Sequence, residues 1–270
     1  MNNTIKSLSR VSRTLSILAG FAAALPFVHA QQPAAPAAGQ VRIAAASDLR
    51  FALDEVIAAY GAANPQAGMT VIYGASGTFY AQIAQGAPFD LFLSADSAYP
   101  RDLVQKGLAD GATLFTYAIG HLVLWSPAAS PLDVSRGLAV LRDSRVRKVA
   151  IANPLHAPYG RAAEAALKQA GLWTAVESKL VLGENITQAA QFVATGAADV
   201  GLIARSLAFA PEMRSRGKFW DVPPSMHPRL EQSGVVLARA ADPAAAARFR
   251  AYFRGEAGRR ILARHGFDLP

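Results

Sequence analysis

The strongest constraint on this chain is an alternation. From Val41 onward, short runs that are apolar at nearly every position give way to a turn of small and polar residues. Each turn then opens a stretch with helical spacing. The apolar runs fall at 41–46, 69–73, 91–94, 149–152, 180–182, 200–203 and 234–238. The first helical stretch, 49–60, carries Leu49, Ala52, Leu53, Val56, Ile57 and Tyr60, the three-and-four spacing of one buried face. Comparable stretches are read at 78–85, 100–106, 160–170, 186–195, 206–209, 243–253 and 257–265. Strands without polar alternation, separated by helices, specify an α/β fold with mostly parallel sheets flanked by helices. A long extended run at 114–126 is broken by Gly120, and a second extended segment is expected near 222–234. These divide the chain into two lobes joined by a hinge of two crossover segments. Lobe 1 is expected over 41–122 plus 228–270, and lobe 2 over 123–227.

What precedes Val41 reads differently. Lys6, Arg10 and Arg13 lead into an apolar stretch from Leu15 to Val28, and Val28-His29-Ala30 offers small residues for cleavage. That is the pattern of a secretory signal peptide over 1–30, followed by a Pro/Ala-rich disordered leader over 31–40. Removing residues 1–30 takes three cations from a net charge of +8, and the remaining cations are scattered. The densest run, Arg142, Arg145, Arg147 and Lys148, has no interleaved aromatics to stack bases, so nucleic acid is not an expected partner. The absence of Cys rules out disulfides, thiolate metal sites and cysteine nucleophiles. A soluble, exported, monomeric protein without membrane insertion is expected.

The chemistry concentrates where strands end. Ala46-Ser47-Asp48, Gly74-Ala75-Ser76-Gly77, the segment Asn153 to Gly160, and Gly183-Glu184-Asn185-Ile186 each follow a strand and open a helix. Ligands of open parallel sheets bind beyond the strand C-termini, and helix starts present unpaired N–H groups and the positive end of the dipole. Ser and Asn are ordinary caps, and one such turn alone is structural. Four at the same end of the strands, two in each half, point to a ligand held between lobes. Signatures of enzymes are absent: no Gly-x-Ser-x-Gly elbow, no Gly-x-Gly-x-x-Gly and no Walker loop. The histidines show no zinc spacing. Asp48, Asp90 and Asp96 leave a carboxylate cation site open, although Asp90 begins a strand and Asp96 ends one, as capping residues do.

Several blocks carry a family resemblance. Ala44-Ala45-Ala46-Ser47-Asp48-Leu49, Ala75-Ser76-Gly77-Thr78, Gln82-Ile83 and the run from Gly86 to Asp96 (GAPFDLFLSAD) form the first set. Asn153-Pro154, Ala157-Pro158-Tyr159-Gly160-Arg161-Ala162-Ala163 and His265-Gly266-Phe267 form the second. Together they resemble the periplasmic molybdate-binding proteins of the ModA type. The resemblance implies a two-lobed type II periplasmic binding protein fold that captures molybdate, and tungstate with it, for the membrane permease of an ABC importer. It implies no enzyme activity and no cofactor, with molybdenum present only as the bound oxyanion. Carried over by position, the oxyanion contacts fall on the hydroxyls and amides of Ser47 and Ser76 and the amides of Tyr159 and Ile186. The family often adds a tyrosine hydroxyl where this sequence has Ala204, and the Tyr159 phenol is expected to fill that space.

Such a site has a physical logic. Fully ionised molybdate offers acceptors and no proton, so neutral donors complement it and a carboxylate would repel it. Each charge-assisted hydrogen bond contributes roughly 1.5–3 kcal/mol, enough in sum to offset desolvation. The alternatives are a receptor of the same fold for another small anion or an organic ligand, and a secreted serine hydrolase. The last would need His156 to activate Ser47 or Ser76.

Overall fold

A computed structural model describes residues 40–270, and the expected signal peptide and most of the leader lie outside the described residues. Gln40, the last residue assigned to the leader, belongs to the first strand and pairs with Gly68.

The strands are β1 (Gln40–Ala46), β2 (Gly68–Gly74), β3 (Leu91–Ser94), β4 (Phe115–Gly120), β5 (Leu122–Pro127), β6 (Val149–Ala152), β7 (Leu180–Gly183), β8 (Val200–Ala204), β9 (Gly217–Asp221) and β10 (Leu230–Val236). The helices are α1 (Arg50–Ala63), α2 (Ser76–Ala84), α3 (Ala98–Gln105), α4 (Pro158–Gln169), α5 (Trp173–Val176), α6 (Ile186–Ala194), α7 (Arg205–Ala208), α8 (Pro211–Arg216), α9 (Pro243–Arg254) and α10 (Glu256–Arg264). They build two five-stranded sheets, ordered β2-β1-β3-β10-β4 and β7-β6-β8-β5-β9.

The sheets share one plan. In the first, β1 pairs in parallel with β2 and β3, while β10 runs antiparallel to β3 and β4. In the second, β6 pairs in parallel with β7 and β8, while β5 runs antiparallel to β8 and β9. Four strands of each sheet therefore point the same way, and the one reversed strand is the one that a crossover delivers. The chain leaves the first sheet at Gly120 and enters the second at Leu122, one residue earlier than the expected boundary. It returns between Asp221 and Leu230.

Burial explains the strand compositions. β3 and β6 are buried at every position, as the covered centre of a parallel sheet requires. The edge strands β2 and β7 are half-exposed. α1 lays Ala52, Leu53, Val56 and Tyr60 on the first core, where Phe249 and Phe253 of α9 join them. Caps define the helix starts: Asn185 accepts from the Gln188 amide at 3.1 Å, and Asp242 from the Ala245 amide at 2.8 Å. Pro158 and Pro243 occupy first turns, where a missing N–H costs nothing.

Two differences from the sequence reading stand out. The last strand of the first sheet runs over Leu230–Val236 rather than 234–238, because its pairing with β4 begins at Leu230. β9 has no counterpart among the expected strands. Its residues lack polar–apolar alternation, and the ladder with β5 holds it.

Candidate oxyanion site

The four turns singled out above converge. A small cavity is lined by Ala46, Ser47, Asp48, Gly74, Ala75, Ser76, Ala95, Ala157, Pro158, Tyr159 and Ile186. All four expected contact residues, Ser47, Ser76, Tyr159 and Ile186, are therefore in one place. Each reaches it for the same reason, lying where the chain passes from a strand end into the next helix or helical turn. The pairing of Ala46 with Gly74 sets the first two turns side by side, and that of Ala152 with Gly183 does so for the other two.

Ser76 and Ile186 open α2 and α6, and Tyr159 is the second residue of α4. In these positions a backbone N–H has no acceptor within its own helix, so three helix starts aim donors at one point. Ser47 opens a 3₁₀ turn that leads into α1. The Ser76 hydroxyl accepts from the Ala95 amide at 3.0 Å, which orients it and leaves its own proton to give. No Lys, Arg or His lines the cavity.

The two lobes touch around this point. Ser47 donates through Oγ to Asn185 Oδ1 at 3.2 Å, and Thr187 donates through Oγ1 to the Ser47 carbonyl at 3.0 Å. The Gly77 amide donates to the His156 carbonyl at 2.9 Å, an approach that a Cβ on Gly77 would obstruct. Ser206 donates to the Asp48 carbonyl at 2.8 Å. Farther out, Arg161 of α4 donates to Asp96 Oδ2 at 2.5 Å and to the Tyr99 hydroxyl at 3.0 Å. At the hinge side, Arg205 donates to the Gly266 carbonyl at 2.8 Å and to Asp268 Oδ1 at 2.9 Å.

Two expectations need correcting. The carboxylate-free lining does not hold, because Asp48 lines the cavity and is 1% exposed. Its Oδ2 accepts from Gln232 Nε2 at 2.5 Å, while Oδ1 is buried without a hydrogen-bond partner. Desolvation pushes this carboxyl up to about 6 against the opposing pull of Gln232, Tyr159 and nearby main-chain amides. The Tyr159 phenol, second, is engaged elsewhere. It accepts from Gln232 Nε2 at 3.3 Å and lies against Gly120, and Ala204 is not among the lining residues. Burial and the neighbouring Asp48 hold that phenol, like Tyr117's, well above its usual range, so both stay neutral.

The hydrolase alternative finds no support in the geometry. Among the described residues, His156 pairs through Nε2 with the Glu184 carbonyl at 2.9 Å and bonds neither serine. Asp96 does act as a local cap, accepting from the Ala98 amide at 2.9 Å, and its other oxygen holds Arg161. Asp90 braces the strand end instead, accepting from the Arg42 amide at 2.7 Å and the Ala241 amide at 2.6 Å. Among the described residues no cluster of three His, Asp or Glu side chains could hold a metal ion.

Residues 41–268 match the family model for bacterial extracellular solute-binding proteins. The chain belongs to that family. Among curated relatives of this solute-binding protein, the molybdate-binding protein ModA of Rhodobacter capsulatus is 40% identical over 233 residues, covering 86% of this chain and 89% of the relative. The ModA of Azotobacter vinelandii is 37% identical over 234 residues, covering 86% and 91%. The solved structure of the Azotobacter vinelandii periplasmic molybdate-binding protein superposes with a TM-score of 0.80 at 31% identity, covering 85% of this chain and 99% of that one. The sulfate-binding protein SubI of Mycobacterium tuberculosis, at 19% identity and a TM-score of 0.67, shares the fold. Two lobes of mixed sheets flanked by helices are thus the shared architecture of this solute-binding family. Among the described residues no helix is long and apolar enough to cross a membrane.

Proposed function

We propose that this solute-binding protein captures molybdate between its lobes and delivers it to the membrane permease of an ABC importer. One observation carries the reading. Ser47 and Ser76 from one lobe and the helix-start amides of Tyr159 and Ile186 from the other line a single small cavity without a cation. Neutral donors from both lobes suit an acceptor-only, doubly charged tetrahedron, because the charge is met by fixed dipoles and no buried cation has to be desolvated. The relatives with the highest identity quoted above carry molybdate in their names, and the likeness extends over nearly their whole length.

Tungstate, with the same charge and shape, is the expected second ligand. Lobe closure, fastened by the bonds between lobes, gives the permease a loaded form to recognise. Export by residues 1–30 and a periplasmic monomer complete the reading, with the protein acting as a carrier and not as an enzyme.

Calorimetry of the protein with molybdate, tungstate, sulfate and phosphate in turn tests it. Saturable one-to-one binding of molybdate and tungstate, with sulfate and phosphate far weaker, is the expected result. Absence of molybdate binding overturns the reading.

A further inference from the structure

The closing block His265-Gly266-Phe267 is not among the residues that line the oxyanion cavity. It meets the hinge instead. After α10 the chain turns at Gly266, whose φ of +83° is left-handed backbone that glycine adopts without steric cost, and the Phe209 ring stands where a Cβ would point. The turn lays Asp268 back on the end of β4. There the Ile119 amide donates to the Asp268 carbonyl at 2.8 Å, and the Asp268 amide to the Ile119 carbonyl at 3.1 Å. Asp268 Oδ2 lies 2.8 Å from Nε2 of His121, the single residue between β4 and β5.

Arg205, the first residue of α7 in the second lobe, touches every part of this joint. Its amide donates to the His121 carbonyl at 2.9 Å. Its Nε donates to the Gly266 carbonyl at 2.8 Å and its Nη2 to Asp268 Oδ1 at 2.9 Å, while Nη1 lies 3.9 Å from Asp221 Oδ1 at the start of the return crossing. One residue thereby ties both crossings to the C-terminal tail of the first lobe. The next residue, Ser206, donates to the Asp48 carbonyl at 2.8 Å, and Asp48 follows Ser47 directly.

Resting on the molybdate reading above, we propose that Arg205 is a positioning residue: fastened to the C-terminal tail at the hinge, it sets the angle at which the lobes meet and, through Ser206 and the Asp48 carbonyl, the placement of Ser47. Contacts so close to the crossings move little when the lobes part, so they persist in the ligand-free protein. The lobes then return to one register, and the donors of both halves meet the anion without a search. A guanidinium suits the task because its planar fork serves the Gly266 carbonyl and the Asp268 carboxylate at once, which a single ammonium does not.

The test compares wild type with Arg205→Ala, Arg205→Lys, Asp268→Ala and the double alanine variant. The chain has no Cys, so one cysteine introduced on an exposed face of each lobe carries a spin-label pair that reads lobe separation. Calorimetry with sodium molybdate reads affinity. Wild type is expected to show one narrow separation without ligand and another with it. Arg205→Ala is expected to broaden the ligand-free distribution and to lose about tenfold in affinity, with Arg205→Lys between the two. Asp268→Ala should broaden it likewise, and the double variant should bind within about twofold of Arg205→Ala, because the two residues act as one unit. A ligand-free distribution as narrow as wild type in Arg205→Ala overturns the role, whatever its affinity or melting temperature. Additive losses in the double variant overturn it too. Should Arg205→Ala fail to fold, wild-type distributions in both Arg205→Lys and Asp268→Ala overturn it. Wild type that does not bind molybdate overturns the functional reading, and the ligand-free distributions then decide the hinge role by themselves.

Discussion

The hydroxyl of Tyr159, in the second lobe, occupies the space that a Cβ on Gly120, in the first, would need. The contact lies one residue before the chain crosses between sheets, so it couples the site's α4 amide to the hinge. Gly120→Ala is expected to push the phenol away, shift the Tyr159 amide and lower molybdate affinity at least tenfold. Tyr159→Phe alone is expected to bind within about threefold of wild type, since the hydroxyl is engaged by Gln232 and Asp48. Combining the two should restore most of the affinity lost in Gly120→Ala. Calorimetry of the three variants distinguishes a steric coupling from a donor role, and a large loss in Tyr159→Phe would contradict the former.

Ser47 and Ser76 make different side-chain bonds, so their replacement should differ. Ser47→Ala removes the hydroxyl that bonds Asn185 between the lobes and that must turn from it to reach a ligand. Ser76→Ala removes a donor and leaves the buried Ala95 amide without its acceptor. Each should weaken binding by about 1.5–3 kcal/mol, roughly ten- to a hundredfold, with the ligand-free protein losing stability mainly in Ser76→Ala. Titration and thermal melting of both variants check the split.

Arg161 reaches across the cleft to Asp96 and Tyr99, with both ions of the pair about one-third exposed. Solvent screening limits its value, so Arg161→Ala should cost only about three- to tenfold in affinity. The loss should lie in faster ligand release, because the latch exists only when the lobes are together. Stopped-flow dissociation at low and high salt tests this, and the wild-type rate should rise with salt toward the variant's.

Asp48 also has a consequence for the ligand-free protein. Its carboxyl moves from an ordinary 3.8 to about 6 on folding, so the folded state holds the proton more tightly than the unfolded one. The stability this contributes is full below about pH 4 and is lost as pH rises through about 6. Asp48→Asn should therefore be more stable than wild type at pH 8 by about 2–3 kcal/mol, with the difference shrinking toward pH 4. Denaturant melts across that range measure it. A wild type as stable at pH 8 as its variant would refute the cost assigned to burying this carboxyl.

The strands and the four turns are legible in the sequence because each turn sits at a local boundary, whereas the choice of Ser47, Ser76, Tyr159 and Ile186 within them rests on the family resemblance. An apolar run followed by Ser47, Ser76, Pro158-Tyr159 or Asn185-Ile186 announces both the strand end and the helix start. Asp48 stands in the same turn, but nothing in the local sequence says that it is buried there. What offsets the desolvation of its carboxyl is hydrogen bonding from Gln232 and Tyr159, which arrive from two other elements. The Arg161–Asp96 latch was equally hidden, since 65 residues separate the partners and neither side chain signals the other. β9 escaped notice because its ladder partner, β5, supplies the order its own sequence lacks.

The brevity of the first crossing, with only His121 between β4 and β5, has a mechanical corollary. A link of one residue offers few torsions, so it acts as a pivot, while the longer return between β9 and β10 must follow it. Opening then resembles the jaws of a pair of tongs. Small rotations beside Gly120 become large separations at Arg161 and Asp96, and a distance probe spanning that rim would read the whole motion as a single variable.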